Sequence, residues 1–364
     1  MMLKHSRLIE SIYFFVLSRL VFGIENNALI RLSILKGKKI VGLLNQWDSL
    51  WYVDIIKHGY MVVPLSQPPE LVGQADWAFF PLFPLSAKVL YWCGIPAAWA
   101  GIVVNQIAFF LCIWLFIRLM EKLVNYSQAK FTTLIFALTP FNIFISASYS
   151  DTVFLLFSLL AFTNLQQEKY WSAALSGAFL SASRFFGILF LASYAYNIFI
   201  RKRQMPSLKI GIQMLIISSG LLLFMLYLYC HVGDALAFYH IQQAWGHTGV
   251  DWLSNPLRAL NVTFMSGNTY AKWFFILAFI WIPYLVRKKL YEYALFAGLS
   301  LLAPVVLGTL WSFTRYSLSM FMFYVVIGMV TEKNQSLRYL ALIITLILHF
   351  AFYMLWMTGD VAVI

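Results

Sequence analysis

The stretch WAGIVVNQIAFFLCIWLFIRLM, residues 99–120, decides the fold of this chain. A helix needs about 20 predominantly apolar residues to cross a bilayer core of about 30 Å, and this stretch has that length. The whole chain is similar in character, since 62% of its 364 residues are hydrophobic and only 11% are charged, against about 25% charged residues in an average soluble domain. The sequence therefore predicts an integral membrane protein with no soluble domain.

Further apolar runs predict an all-α polytopic membrane protein of about eleven transmembrane helices, forming a single domain over residues 1–364. The run at 8–24 follows Lys4 and Arg7 like a signal peptide, but Arg19 interrupts it and no small-residue cleavage site follows, so we interpret it as a retained span. The predicted spans are 8–24, 99–120, 131–147, 151–165, 171–184, 186–200, 210–231, 271–286, 291–310, 316–331 and 338–357.

Basic residues between the spans indicate the topology. The net charge is +12, but these residues punctuate apolar runs and form no stripe, which argues against nucleic acid as a partner. With the N-terminus in the cytoplasm, every cluster obeys the positive-inside rule. The clusters are Arg118/Lys122/Lys130, Lys169, Arg201/Lys202/Arg203/Lys209, Arg287/Lys288/Lys289 and Lys333/Arg338.

The predicted topology determines the outer loops and one pair of short spans. A long outer loop at 25–98 contains an interfacial helix at 77–95, because a crossing there would place all the later basic clusters outside. A second outer loop covers 232–270. Spans 171–184 and 186–200 must form a hairpin, since one long tilted helix would change the sidedness of everything that follows.

Carboxylates separate by type in this topology, although the positive-inside rule does not use them. All the aspartates fall outside and most of the glutamates inside, so the outer face is the predicted site of chemistry. The outer acids are Glu25, Asp48, Asp54, Glu70, Asp76, Asp151, Asp234, Asp251 and Asp360, and the inner ones are Glu10, Glu121, Glu168, Glu292 and Glu332.

The first outer loop contains NQWDSLWYVDIIKHGY, residues 45–60, and DWAFFPLFPL, residues 76–85. A helix over 47–58 would put Trp47 and Trp51 on one face, as in an interfacial anchor, with Asp48 facing elsewhere. Asp48 has two interpretations, a helix cap or a reacting group. Asp54 lies six residues further on, and we expect it not to pair with Asp48.

Four later segments come to the same face: SYSD at 148–151, SRFFG at 183–187, GDALAFYHIQQAWG at 233–246 and WSFTRYS at 311–317. In this order with the WDSLWY loop, they resemble the PIG-V family, the GPI mannosyltransferase II enzymes and their prokaryotic relatives, which belong to the GT-C class of glycosyltransferases. The resemblance runs over most of the chain. It implies a GT-C-like fold and an inverting transfer of mannose from a polyprenyl phosphate to an acceptor on the non-cytoplasmic face.

The chain departs from the family pattern at three places. Asp151 follows Tyr149 and Ser150 where relatives have a glutamate, Phe185 and Phe186 stand between Arg184 and Gly187, and Ala235 replaces the proline of a Gly-Asp-Pro pattern. These changes leave the class intact and leave the sugar and the acceptor open.

The resemblance also implies roles for individual residues. Asp48 is the candidate base for the acceptor hydroxyl, and Arg184 and Arg315 are candidates for the donor phosphate, because a guanidinium fork suits phosphate. Alternatively, either arginine forms a structural bridge to Asp151 or Asp234. The predicted substrate-binding residues are Trp47, Trp51, Tyr52, Tyr149, Asp151, Asp234, Gln242, Gln243, Trp245 and Tyr316.

No cofactor is expected, since a lipid phosphate is already a leaving group and the sequence has no Asp-x-Asp clamp for a nucleotide sugar. His240 and His247 are seven residues apart and His58 lies in the first loop, with no H-x-x-x-H spacing, so we expect no metal site. Gln242, Gln243 and Trp245 fit sugar hydroxyls and a ring face, or form an ordinary amphipathic loop helix.

Two alternatives stay open. One is a GT-C transferase of another sugar onto lipid A or a cell-envelope glycan; the other is a lipid or sugar transporter, which would show an internal repeat and acids at mid-span. The expected partners are the bilayer, a polyprenyl-phosphate-linked sugar and an unknown glycan or glycolipid acceptor. The expected location is a bacterial plasma membrane, or the endoplasmic reticulum membrane if the protein is eukaryotic.

Overall fold

A computed structural model describes residues 2–31, 39–66, 73–245, 256–306 and 308–359. Within these ranges the regular secondary structure is helical. Glu70, His247, Asp251 and Asp360 lie outside the described residues. The α-helices are α1 (Met2–Arg31), α2 (Ile40–Leu44), α3 (Asp48–His58), α4 (Leu82–Trp92), α5 (Ala97–Met120), α6 (Tyr126–Ala137), α7 (Asn142–Ser146), α8 (Asp151–Gln166), α9 (Tyr170–Ser183), α10 (Phe190–Ala195), α11 (Leu208–Val232), α12 (Ala237–His240), α13 (Pro256–Ser266), α14 (Thr269–Arg287), α15 (Tyr291–Val306), α16 (Phe313–Leu318), α17 (Phe321–Thr331) and α18 (Gln335–Thr358).

Four of the described helices, α5, α11, α14 and α18, are long and apolar enough to cross a membrane. Shorter apolar helices include α8, α17 and the segment Phe185–Arg201. The structure therefore confirms an all-helical membrane protein, while the number of eleven crossings stays a prediction.

Helices α8, α9 and α11 form a closely packed layer, and α5 packs against α8 on its other side. The approach of α9 to α11 depends on Gly220, where a Cβ atom would lie 2.1 Å from the carbonyl oxygen of Ala178. Small residues at such contacts let membrane helices approach closely. Helix α8 begins at Asp151 and ends at Gln166, three residues before Lys169 of the predicted cytoplasmic side.

The predicted hairpin at 171–200 is confirmed. Helix α9 ends at Ser183, Arg184 is extended with φ −160° and ψ 152°, and a 3₁₀ turn over Phe185–Leu189 starts the return. Gly187 packs so closely on α9 that a Cβ atom there would lie 2.1 Å from the carbonyl oxygen of Leu180. The reversal places Arg184 at the turn.

Two predicted spans, 131–147 and 316–331, are wrong as continuous helices. The first breaks between α6 and α7 at Pro140, which has no amide hydrogen and clashes with the preceding helical turn. The second breaks between α16 and α17. Tyr324 bridges both breaks, since its hydroxyl bonds to Thr139 and donates to the Leu318 carbonyl at 3.1 Å. Irregular backbone at membrane depth is tolerated where protein groups satisfy it.

The outer segment predicted as one interfacial helix at 77–95 contains a 3₁₀ turn, Asp76–Ala78, followed by α4. Helix α4 has 11 residues, which is too short to cross a bilayer. Its Phe83 ring packs on Tyr52 of α3, with centroids 5.0 Å apart. The WDSLWY and FFPLFPL motifs therefore form one packed unit.

Candidate functional site

Two short helices carry the predicted base and one predicted phosphate ligand. Asp48 is the first residue of α3, and Arg315 lies in α16. Each helix follows a non-glycine residue with positive φ, Trp47 (52°) and Ser312 (61°). Such backbone costs about 1–3 kcal/mol and persists where the surrounding structure enforces it.

The helix predicted over 47–58 begins one residue later, so Trp47 and Trp51 do not share a helical face. Trp47 turns away at its positive φ and packs edge-on against Trp356, with centroids 4.6 Å apart. Trp51 instead stacks on Phe79 at 5.9 Å. The predicted tryptophan pair is therefore wrong, and Asp48 lies at the point where the two rings diverge.

Asp48 and Arg315 form an ion pair across 267 positions of sequence, in which Arg315 Nη1 donates to Asp48 Oδ2 at 2.9 Å. The arginine side chain is 5% exposed and the aspartate 27%. Asp48 is therefore the member of the pair that a substrate can reach, while its partner is held beneath it.

Asp151 and Arg184 form the second pair. Arg184 Nη1 lies 2.7 Å from Asp151 Oδ1 and Nη2 donates to Oδ2 at 3.0 Å, a two-pronged contact with a fully buried carboxylate. Asp151 also starts α8, where the helix dipole favours an anion. Arg315 Nε is 3.9 Å from Asp151 Oδ1. Asp48, Arg315, Asp151 and Arg184 thus form one continuous charged cluster.

Aromatic rings surround the arginines of the charged cluster. The guanidinium carbons of Arg184 and Arg315 lie 5.3 Å and 5.4 Å from the Tyr316 ring centroid. Tyr149 and Phe144 contact Arg315 at 5.3 Å and 5.6 Å. Ring faces attract cations and exclude water, so the two guanidinium groups keep fixed positions in an apolar setting.

Ser150 connects the charged cluster to the outer loop and was not singled out by the sequence reasoning. Its Oγ accepts from Arg184 Nε at 3.2 Å and from the Tyr52 hydroxyl at 2.7 Å. Burial raises the pKa of Tyr52, which keeps its hydroxyl protonated as a donor. The signal was present in the segment SYSD, but nothing in the spacing ranked the serine above its neighbours.

An aromatic wall joins the third motif to the first. Trp245 meets Trp51 edge-on at 6.0 Å and Phe79 at 6.1 Å. Gln242 donates to the Phe238 carbonyl at 3.4 Å, and Gln243 is exposed. The structure thus brings Trp245 to Trp51, another predicted substrate-binding residue, while the roles of both tryptophans and both glutamines stay predictions.

Asp234 lies apart from both arginines, so the bridge to Asp234 considered from the sequence is wrong. Its Oδ2 bonds to His240 Nδ1 at 2.7 Å and its Oδ1 accepts the Leu236 amide at 2.9 Å. Asp54 pairs with His58 at 2.8 Å, which confirms that it does not pair with Asp48. Within the described ranges, no three His, Cys, Asp or Glu residues gather as metal ligands do.

Asp76 connects two parts of the first outer loop through hydrogen bonds. Both carboxylate oxygens accept the Met61 amide at 3.1 Å, and Trp77 Nε1 donates to the Met61 carbonyl at 2.7 Å. Burial raises the pKa of Asp76 from 3.8 to about 6. This carboxyl group joins the HGY and DWAFF motifs and does not touch the charged cluster.

Comparison with curated proteins finds mannosyltransferases. The chain is 26% identical over 161 residues to human "GPI alpha-1,6-mannosyltransferase 2", covering 41% of this chain and 30% of the relative. It is 23% identical over 177 residues to "GPI mannosyltransferase 2" of Schizosaccharomyces pombe, covering 47% and 34%. No family model matches, and no solved structure matches. The matched region spans about a third of each relative, and this likeness agrees with the motif resemblance to the same group of membrane proteins.

Proposed function

We propose that this protein is a membrane glycosyltransferase that moves a hexose, mannose by resemblance, from a polyprenyl phosphate to a hydroxyl acceptor. The observation that carries the proposal is the charged cluster, in which the reachable carboxylate of Asp48 pairs with the buried Arg315, and Arg184 pairs with the buried Asp151 beside them. The names of the similar proteins support the same reaction class.

The reaction needs a base and a place for a leaving phosphate. Asp48 takes the proton of the acceptor hydroxyl, whose oxygen forms a bond to the anomeric carbon. The bond from that carbon to the phosphate oxygen breaks, and its electron pair leaves with the polyprenyl phosphate. Attack opposite the phosphate inverts the anomeric centre, so a β-linked donor gives an α-mannoside.

The ion pair between Asp48 and Arg315 suggests how donor binding prepares the base. In this pair Oδ2 of Asp48 accepts from the guanidinium and is not free to accept from an acceptor hydroxyl. A donor phosphate that takes over Arg315 exchanges one anion for another and releases Asp48 to accept a proton. Arg184 keeps its two-pronged contact with Asp151 and adds positive charge beneath the phosphate.

The direct test incubates purified protein with β-linked polyprenyl phosphate mannose, glucose and galactose, each with a range of glycolipid acceptors, and measures release of free polyprenyl phosphate. Release from the mannose donor, with an α-linked product, is the expected result. Release from another sugar alone would favour the transferase of a different sugar. Donor that crosses vesicles intact without release would favour a transporter and contradict the proposal.

A further inference from the structure

A polar cavity lies at the end of α8 that is far from the charged cluster. Helix α8 has 16 residues, so its two ends are about 24 Å apart, with Asp151 at one end and this cavity at the other. The cavity has a volume of about 300 Å³. Its charged and polar lining consists mainly of Lys122, Glu168, Asn197, Arg201, Lys202 and Glu292.

The cavity wall is built around Glu292 at the start of α15. A π-helical turn, Tyr196–Arg201, follows α10 and places Asn197 and Arg201 one turn apart. Asn197 Nδ2 and Arg201 Nη1 both donate to Glu292 Oε1 at 2.7 Å. π-Helical turns are rare and are frequent at functional sites. At the rim, Lys202 pairs with Glu168.

Two polar groups of the cavity lining take no part in these pairs, the Lys122 ammonium and the Asn197 side-chain oxygen. Within the part of the chain that the structure describes, Lys122 has no carboxylate within 4.0 Å, whereas the neighbouring Arg201 and Lys202 do. Asn197 is 3% exposed, and its Oδ1 is buried with no hydrogen-bond partner among the described residues. A buried acceptor without a donor is unfavourable, so a ligand that supplies a donor here is stabilised by the hydrogen bond it forms.

A matching ligand carries an anion for Lys122 and a hydrogen-bond donor for Asn197. A phosphate followed by an ethanolamine or a glycerol has both groups. The cavity opens among the basic loops of the predicted cytoplasmic face, and basic pockets between membrane helices at that face suit phospholipid headgroups. A volume of about 300 Å³ is also at the small end of ligand sites, which suits a headgroup.

We propose that this cavity binds the headgroup of a membrane phospholipid whose phosphate contacts Lys122 and whose terminal donor reaches Asn197 Oδ1. The acyl chains stay in the bilayer. This site is separate from the charged cluster and does not depend on the proposed transfer reaction, because binding is measured without turnover.

Native mass spectrometry of delipidated protein tests this with four probes: phosphatidylethanolamine, phosphatidylglycerol, phosphatidylcholine and soluble glycerophosphoethanolamine. Phosphatidylcholine has a phosphate but no donor at its trimethylammonium end. We expect one molecule of phosphatidylethanolamine or phosphatidylglycerol per protein, bound at least about tenfold more tightly than phosphatidylcholine. Equal retention of all three lipids would overturn the role of Asn197, and equally tight binding of the soluble headgroup would overturn a lipid ligand.

A matched pair of variants locates the site. Lys122→Gln removes the spare cation, while Lys130→Gln removes a charge on α6 that pairs with Glu10 outside the cavity. We expect Lys122→Gln to weaken retention of the preferred lipid at least about tenfold and Lys130→Gln to leave it unchanged. The same loss in both variants would mean that general surface charge holds the lipid and would contradict the proposal. If Lys122→Gln fails to fold, the comparison of the lipids on the wild-type protein still tests whether the cavity prefers a headgroup with a hydrogen-bond donor.

Discussion

Arg315 and Arg19 both lie between helices of this membrane protein, but their partners differ in kind. Arg315 pairs with Asp48 and approaches Asp151, so its charge is balanced. Arg19 donates instead to neutral oxygens, with no carboxylate within 4.0 Å in the described part of the chain. Its acceptors are Gln106 at 3.0 Å, Ser146 at 2.9 Å, Ser18 at 3.0 Å and Asn142.

This difference in partners indicates that Arg19 has a structural role and that Arg315 belongs to the candidate site. The partners of Arg19 come from α1, α5 and α7, so the arginine holds α7 in place, and neighbouring Asn142 continues to His349 and Glu25. Helix α1 runs on through Glu25, which is buried there, although the sequence predicted an outer loop acid. A carboxylate partner can be exchanged for a phosphate without a change of charge, whereas four neutral partners cannot. The charged cluster is therefore where we propose that the anionic donor binds.

Asp151→Asn should have the largest effect. It leaves Arg184 without the fully buried carboxylate that it contacts with two nitrogens, and breaking a buried pair from one side costs about 3–5 kcal/mol. We expect a large fall in melting temperature in detergent together with loss of transfer. The double variant Asp151→Asn/Arg184→Gln should regain stability and stay inactive. Recovery of activity in the double variant would remove Arg184 from the phosphate site.

Substitutions of Arg315 should lower turnover according to how much of the charge and shape of the guanidinium each one loses. Arg315→Lys keeps the cation but loses the guanidinium fork, and Arg315→Gln loses both. We expect Arg315→Gln to lower turnover at saturating donor by about 100-fold and Arg315→Lys by about tenfold, since the cation acts as charge builds on the leaving oxygen. The same order is expected at Arg184. A rise in the donor KM with unchanged turnover would show that the arginine only binds the donor.

Arg19→Gln should affect stability alone. Removing the guanidinium leaves Gln106, Ser146 and Asn142 short of donors, at a cost of about 1–2 kcal/mol. Turnover per folded molecule should stay within about twofold of wild type. Melting temperature and donor turnover measured on the same preparation check this. A loss of turnover as large as that of Arg315→Gln would abolish the distinction between the two arginines.

The smallest effect concerns pH and Asp76. Because burial raises the folded pKa of this carboxyl to about 6 from 3.8, the folded state holds the proton more tightly, and the stabilisation present at low pH is lost as pH rises through about 6. The melting temperature should therefore fall slightly between pH 5 and pH 7.5. Asp76→Asn keeps an acceptor for the Met61 amide and should reduce that fall. An unchanged pH profile in this variant would contradict the assignment.

Apolar periodicity and charge placement predicted the helical membrane fold, because bilayer thickness fixes the length of a span. The same reasoning missed the break between α16 and α17, where no proline marks the site and Tyr324 satisfies the freed Leu318 carbonyl. Pro140 did signal the other break, but hydropathy alone ran through it. Interruptions stabilised by a distant side chain leave no local pattern.

For the candidate site, too, the sequence predicted the general arrangement but not the individual contacts. The order of the motifs predicted that Asp48, Asp151, Arg184 and Arg315 share a face, and the structure brings them together. Which acid pairs with which arginine was beyond the sequence, since the partners of one pair are separated by 33 positions and those of the other by 267. Trp47 has a positive φ and packs against Trp356 at the far end of the chain, and neither feature leaves a signal in the local sequence.

Asp48 is the proposed base of the charged cluster. Asp54 lies on the same helix and provides a matched control, since it is exposed and paired with His58. The decisive measurement is release of polyprenyl phosphate at saturating donor by Asp48→Asn and Asp54→Asn. We expect Asp48→Asn to lose at least about 100-fold in rate and less stability than Asp151→Asn, because Arg315 keeps Asp151 nearby, and we expect Asp54→Asn to match wild type. Full activity in Asp48→Asn, or its loss in Asp54→Asn alone, would contradict the assignment.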